Sequence, residues 1–256
     1  MYEQDETHHM KSLNQQLGTE TPERIIADGC LLYKEDKYEE ARAKFQEAMN
    51  QTGYHCYLAY NIALCYYKLK QLAPSLKFIA DIIEKGVREH PELGVGSNTD
   101  GIEVKSVGNT QSLKETALVE SFNLKAAIEY SMKNINQSKE ALMDMPPRNE
   151  DELDPVTLHN QALMNMEDDP TNGFKKLNFL LKNPPFPPET FMNILLLYCK
   201  YQYYNLAADV FAENAELTYK CISPEEFQFI DALILSQTSK EDAYAKFEIL
   251  ANQHID

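Results

Sequence analysis

A chain of 256 residues with 43% hydrophobic content has enough apolar material for a folded core, while its net charge of −16 argues against a surface that tracks nucleic-acid phosphates or an anionic membrane. No stretch approaches the roughly 20 apolar residues of a membrane span, and the opening MYEQDETHHMKSLNQQLG has no apolar signal region. The five cysteines, Cys30, Cys56, Cys65, Cys199 and Cys221, form no CxxC, which favours reduced, buried thiols over disulfides or zinc. An intracellular protein that binds other proteins through basic or apolar segments is expected, with no cofactor and no metal.

Residues 1–20 are polar and aperiodic and read as a flexible tail. The first helix opens at Thr21-Pro22-Glu23, a cap followed by proline at the first helical position. From there a small residue followed four positions later by a bulky apolar one recurs: Ala41-Phe45, Ser75-Ile79, Ser138-Leu142, Gly173-Leu177, Ala207-Phe211 and Ala243-Phe247, at spacings of 34, 63, 35, 34 and 36. The small side chain lets two helix backbones approach, and the large one fills the space a turn later on the same face. A period of about 34 residues is that of the tetratricopeptide repeat. The expected fold is all-α: one tetratricopeptide-type helix-pair solenoid over 21–256, a right-handed superhelix of about six pairs.

The one long interval, Ser75 to Ser138, is nearly two periods and falls on the glycine-rich stretch 88–116. This insertion, carrying Val95, Ile102, Val104 and Val107, is expected to pack back on the solenoid, partly extended. Helices resume over 116–133 and 137–145, and the acidic segment RNEDELD reads as a solvated linker. The stretch NLAADVFAENAELTYK reads as the second helix of the fifth pair, and Ser223-Pro224-Glu225-Glu226 opens the sixth with a capping box. That last pair leaves an apolar face uncovered, so the chain reads as a piece of a longer solenoid or as one whose end a partner covers.

First helices of such pairs line the concave surface. Asn61, Asn123, Asn160 and Asn193 recur at nearly one place in four of them, where an amide that donates and accepts could grip an extended peptide backbone or could equally tie its own helix to a neighbour. Lys34, Lys68 and Lys200 share another position, beside Tyr33, Tyr67 and Cys199. A basic ladder suits a carboxylate-bearing ligand, while solvated surface lysines would look the same. With Tyr130 these residues form the expected partner-binding groove. His159 and Cys199 have no activating neighbours in sequence, so no enzymatic activity is expected.

The segments HPELGVG (90–96), ESFNLKAAIEY (120–130), DMPPR (144–148), LDPVTLHNQALMNM (153–166), NPPFPPETF (183–191) and LLLYCKYQYYNLAADVFAENAELTYK (195–220) resemble the fleer-type tetratricopeptide repeat protein of intraflagellar transport complex B. The resemblance implies a non-enzymatic adaptor of that complex, in the cilium or flagellum and in the cytoplasm around the basal body. It implies a solenoid wrapped around an extended, proline-containing segment of another complex B core subunit, a need for it in cilium assembly, and a link to tubulin polyglutamylation. Since the family is longer, the resemblance also implies a fragment. A competing expectation from Lys34, Asn61 and Lys68 is a chaperone-type repeat domain that clamps a C-terminal carboxylate.

Overall fold

The structure is a computed structural model; it describes residues 11–12, 21–97 and 105–253. The expected tail, apart from Lys11 and Ser12, and Ile102 and Val104 of the insertion lie outside the described residues. Two compact units are present, up to Leu153 and from Asp154 onward. No strand occurs among the described residues.

The first unit contains α1 (Pro22–Lys34), α2 (Tyr38–Thr52), α3 (Cys56–Lys68), α4 (Leu72–Glu89), α5 (Gln111–Glu115), α6 (Leu118–Ser131) and α7 (Ile135–Met143). Apart from α5, each helix packs on the next in that order, with α4 passing directly to α6. The start of α1 has the cap that its sequence announces, the Thr21 hydroxyl accepting from the Arg24 N–H. The small-large steps sit where the helices meet. Ala41 is wholly buried with Phe45 against Ile25, Leu58 and Ile62, and Ile79 is buried with Ala63, Leu124 and Ile128. Full burial of side chains this size is worth about 1.5–3 kcal/mol each.

Where the small residue is serine, its hydroxyl has a definite use. Ser75 donates to the Ala63 carbonyl at 2.7 Å and Ser138 to the Ala126 carbonyl at 2.8 Å, each reaching back 12 residues to the paired first helix. The two bonds lie one long interval apart in the chain, which confirms the repeat register across the insertion.

Three-residue turns join α1 to α2, α3 to α4 and α6 to α7. Each closes with the N–H of its third residue bonded five residues back: Lys37 to Leu32, Gln71 to Tyr66 and Asn134 to Glu129, at 2.9–3.0 Å. This is the Schellman closure, which needs a left-handed residue. Here that residue is Asp36, Lys70 and Lys133, with φ of 60° to 68°, none of them glycine.

The described parts of the insertion, up to Ser97 and from Lys105, pack on the first unit, and not as extended chain alone. It adds a 3-10 turn, Pro91–Leu93, and the short α5. The Val107 N–H donates to the Pro147 carbonyl at 2.9 Å and the Gly96 N–H to the Asp144 carbonyl at 2.8 Å. From α5, the carbonyls of Lys114 and Glu115 accept from the Tyr57 hydroxyl and, at 3.0 Å, from the Cys56 thiol.

One helix start in the first unit needs correction. The helix read over 116–133 begins at Leu118, because Ala117 is left-handed (φ 53°) and the Thr116 hydroxyl donates to Leu113 and accepts from the Leu118 N–H. The acidic segment after Arg148, read as a solvated linker, is exposed at Asn149, Glu150 and Asp151 and is ordered as a 3-10 turn, Glu150–Glu152. Its Glu152 carboxylate accepts from the Ser106 hydroxyl and the Asn149 N–H, bonds that hold it below the usual carboxylate range.

The second unit contains α8 (Pro155–Asn165), α9 (Pro170–Lys182), α10 (Glu189–Lys200), α11 (Tyr204–Glu213), α12 (Ala215–Cys221), α13 (Pro224–Leu235) and α14 (Lys240–Asn252). Its core joins Ala162, Met166, Leu177, Phe191, Ile194, Leu195, Tyr198 and Ala207. The turn from α10 to α11 repeats the Schellman closure, Tyr203 to Tyr198 at 2.8 Å with Gln202 left-handed. The turns before α9 and α14 are one residue longer, and the two spacings slightly above the period fall at these two pairs. The single helix read over NLAADVFAENAELTYK is two, α11 and α12. Asn214 leaves helical geometry with its amide bonded to the Val210 carbonyl, and the break lets Leu217 and Ile222 fold onto the core. The capping box at Ser223 and Glu226 is formed as read.

Candidate functional site

The residues singled out by sequence stand on the first helices of both units. Tyr33, Tyr67 and Tyr130 occupy one repeat position at the ends of α1, α3 and α6. Tyr33 and Tyr67 are half-buried and Tyr130 is 51% exposed. Tyr33 stands edge-on to Tyr38, with centroids 5.1 Å apart, and the Lys70 ammonium lies 5.7 Å from the Tyr67 ring. Tyr33 and Tyr67 pack as partly buried rings against the core clusters of the first unit.

Lys34, Lys68 and Lys200 are the last residues of α1, α3 and α10, and all three are exposed. That place suits a cation in its own right, since the carbonyl end of a helix is partially negative. Lys200 lies 3.5 Å from the Glu167 carboxylate, both well exposed. Other cations of the first unit are engaged: Lys11 and Lys37 both bind Glu35, whose pKa they pull down to about 2, Arg42 binds Glu39, and Lys44 binds Glu47.

The four asparagines divide. Asn61 and Asn160 are half-buried on α3 and α8. Asn123 is 6% exposed, and its amide donates at 3.0 Å to the Val119 carbonyl of its own helix. Asn193 on α10 donates to His159 Nε2 on α8 at 3.3 Å. At least these last two have internal work, and their equivalence by sequence spacing does not extend to equivalent contacts.

His159 is the buried polar residue whose role sequence spacing did not reveal. At 6% exposure it touches the Thr190 hydroxyl through Nδ1 at 2.8 Å. With Asn193 donating to Nε2, the neutral ring carries its proton on Nδ1 and donates to Thr190. Burial pushes its pKa down, against a smaller upward pull from Glu189. The ring is therefore a neutral pin between α8 and α10, with both nitrogens committed. The thiols fit the same picture: burial raises Cys30 and Cys199, and raises Cys65 to about 12, which makes them poor nucleophiles. Among the described residues no group of three or more His, Cys, Asp or Glu is placed to hold a metal ion, and no helix is long and apolar enough to cross a membrane.

Comparison with known proteins agrees with this all-helical picture. The crystal structure of the APC/C hetero-tetramer Cut9-Hcn1 superposes with a TM-score of 0.70 over 99% of this chain and 45% of its own, at 12% identity. A tetratricopeptide repeat protein from Parabacteroides merdae gives 0.55 over 98% and 86%, at 13% identity. At such identities these likenesses speak for the helix-pair repeat fold alone. Residues 190–256 match the family model described as the intraflagellar transport protein 70 C-terminal domain. Intraflagellar transport protein 70A of Xenopus tropicalis is 63% identical over 98% of this chain, that of Danio rerio 61% over 96%, and protein 70B of Mus musculus 63% over 87%. The chain spans 38%, 38% and 34% of the length of these three relatives. Over nearly all its residues this chain is similar in sequence to a segment of the intraflagellar transport protein 70 relatives, and its fold is that of a helix-pair repeat protein.

Proposed function

We propose that the chain is a non-enzymatic adaptor of intraflagellar transport complex B, and that its first helices bind an extended, proline-containing segment of another core subunit of that complex. The observation that carries this reading is the tyrosine ladder, Tyr33, Tyr67 and Tyr130, repeated at one position on three successive first helices. Rings presented at a regular rise suit an extended chain, because proline and other apolar side chains pack on aromatic faces while the hydroxyls reach its backbone. On the same unit Asn61 adds a carboxamide on α3, and Lys34 and Lys68 add cations at the ends of α1 and α3. On this reading the protein works in the cilium or flagellum and in the cytoplasm around its base, is needed for building the cilium, and bears on tubulin polyglutamylation through the particle it helps to assemble.

The test is co-purification of the tagged chain from ciliated-cell extract, wild type beside Tyr67→Ala/Tyr130→Ala. Wild type is expected to recover complex B subunits, and the double variant to lose about tenfold or more of that recovery with unchanged helical circular dichroism. Equal recovery by both chains refutes the ladder as the binding surface. Recovery of chaperones instead, competed by a free C-terminal peptide, would favour a carboxylate clamp. The engagement of Lys11, Lys37, Arg42 and Lys44 by glutamates speaks against that clamp, which requires converging unpaired cations.

A further inference from the structure

A groove of about 530 Å³ lies between α4 and α6, lined by Leu76, Ile79, Ala80, Ile83 and Glu84 on one side and by Lys125 and Glu129 on the other. Its origin follows from the repeat register. At the preceding junction, between α2 and α3, the corresponding seat is filled: Ile62 is wholly buried against Phe45 and Ala48, and the Arg42 guanidinium lies 5.1 Å from the Tyr66 ring centroid. The long interval, the one that separates Ser75 from Ser138, carries Ile62 to Lys125 and Tyr66 to Glu129, and the ordinary period, the one that separates Ala41 from Ser75, carries Arg42 to Leu76 and Gln46 to Ala80. Both walls have thus changed character together. The second-helix wall has gained an apolar floor, and the first-helix wall has lost the isoleucine and tyrosine that would seal it.

We infer that this groove is a docking site for a short partner segment that brings a basic residue flanked by apolar side chains. The filled junction displays the chemistry that such a seat accepts, an apolar group with a guanidinium beside it. In the open seat the floor supplies apolar contact, and the rim carries Glu84 and Glu129. The Glu129 carboxylate accepts one bond at 2.8 Å from Asn134, which fixes its position at the groove's edge. Lys125 pulls the Asp144 carboxyl downward against burial, and with Glu84 and Glu129 set against this one lysine the groove lining stays net negative. The chain's net charge of −16 steers basic segments toward it at a distance. None of the tyrosine-ladder residues lines this groove, so it is a second surface, although Tyr67 packs on the cluster beneath its floor.

The test is a selection of short random phage-displayed peptides on the full chain, counter-selected on the variant Lys125→Leu/Glu129→Tyr, which restores the seal. Circular dichroism of the sealed variant checks its fold, and Ala80→Phe, a substitution at an exposed position on the groove floor, serves as a second way to fill it. Enriched peptides are expected to share an arginine or lysine among apolar residues and to bind both filled variants about tenfold or more weakly, about 1.4 kcal/mol. Failure to enrich any peptide over the sealed variant overturns the proposal, as does enrichment of peptides without a basic residue. A wild-type dimer that the sealed variant abolishes would name a second copy of the chain as the occupant and overturn it equally. The Tyr33→Ala/Tyr130→Ala chain, which leaves the Tyr67 ring on the floor's cluster, should bind the selected peptides as wild type does, which separates this site from the ladder.

Discussion

Gly29 tests the packing logic of the repeat at a single atom. A methyl group added to Gly29 on α1 would stand 2.7 Å, 3.0 Å and 3.1 Å from three ring carbons of Phe45, and Phe45 is itself only 2% exposed on α2. The ring is rigid and enclosed, so relief requires the two helices to move apart. Overpacking of this kind costs about 1–3 kcal/mol. Against it stands the gain of roughly 1 kcal/mol that alanine brings over glycine in a helix interior. Gly29→Ala should therefore lower stability by between about 0 and 2 kcal/mol, a fall in melting temperature of roughly 2–4 °C for each kcal/mol in a chain of this size. Gly173, at the matching close approach on α9, has the Cε of Met166 as its nearest neighbour, at 2.9 Å. The end of a methionine can swing away, leaving the Ala162 carbonyl at 3.2 Å to give by a few tenths of an ångström, so Gly173→Ala should be the milder change of the two. Urea and thermal unfolding of Gly29→Ala, Phe45→Leu and the double variant measure the coupling directly. A smaller residue at position 45 should remove most of the penalty at position 29, giving a coupling energy above about 0.5 kcal/mol. If Gly29→Ala stabilises the protein by the full helix-propensity gain, and the two changes simply add, the close-approach argument is wrong.

Two further predictions concern buried polar groups. Ser75→Ala and Ser138→Ala each remove one hydroxyl bond to a carbonyl of the paired helix, and since alanine fills the same place at Ala41 and Ala207, each should cost only about 0.5–1.5 kcal/mol in urea unfolding; a loss of several kcal/mol would mean that the serine does more than replace the alanine. His159 is held neutral by burial in the folded chain, whereas the unfolded chain takes up its proton near pH 6.5. The unfolded state then binds more protons, so stability is complete above about pH 6.5 and declines as pH falls from there toward the lowered folded value. Measured as the difference between wild type and His159→Gln across this window, with the carboxylates common to both, that decline should appear in wild type alone; parallel curves would show that the ring is not a buried neutral pin.

Much of the fold was legible because its signal is steric and periodic. A small residue with a bulky one four places on marks a helix contact wherever it occurs, and all six small residues, from Ala41 to Ala243, prove to be buried. Caps at Thr21 and Ser223 were legible for an equally local reason, a hydroxyl placed before a first-turn proline. What escaped was decided by contacts between distant residues. Nothing local announces that Ala117 will turn left-handed, that Glu152 will receive Ser106 from 46 residues away, or that Asn214 will end a helix so that Leu217 and Ile222 can reach the core. The candidate site was legible to the same degree. Tyrosines and lysines at one register fall at one structural position, as spacing requires, but the asparagines do not share a function merely because they share a spacing: Asn123 bonds within its helix while Asn193 reaches His159 on another.

The groove between α4 and α6 shows why register matters more than composition in a repeat protein. Lys125 and Glu129 are ordinary charged residues on a helix, and taken alone they would be assigned to solvent. Only the comparison across the insertion, with Ile62 and Tyr66 as the reference, reveals that they stand where the preceding junction is sealed. The comparison one ordinary period back, Arg42 with Leu76 and Gln46 with Ala80, then reveals the complementary change on the facing helix. Two coordinated departures at one junction, neither visible without the other, distinguish an open seat from a loosely packed one. A repeat that had only lost its seal would expose polar floor residues such as those of α2, and it would lose stability without offering anything for a partner to hold.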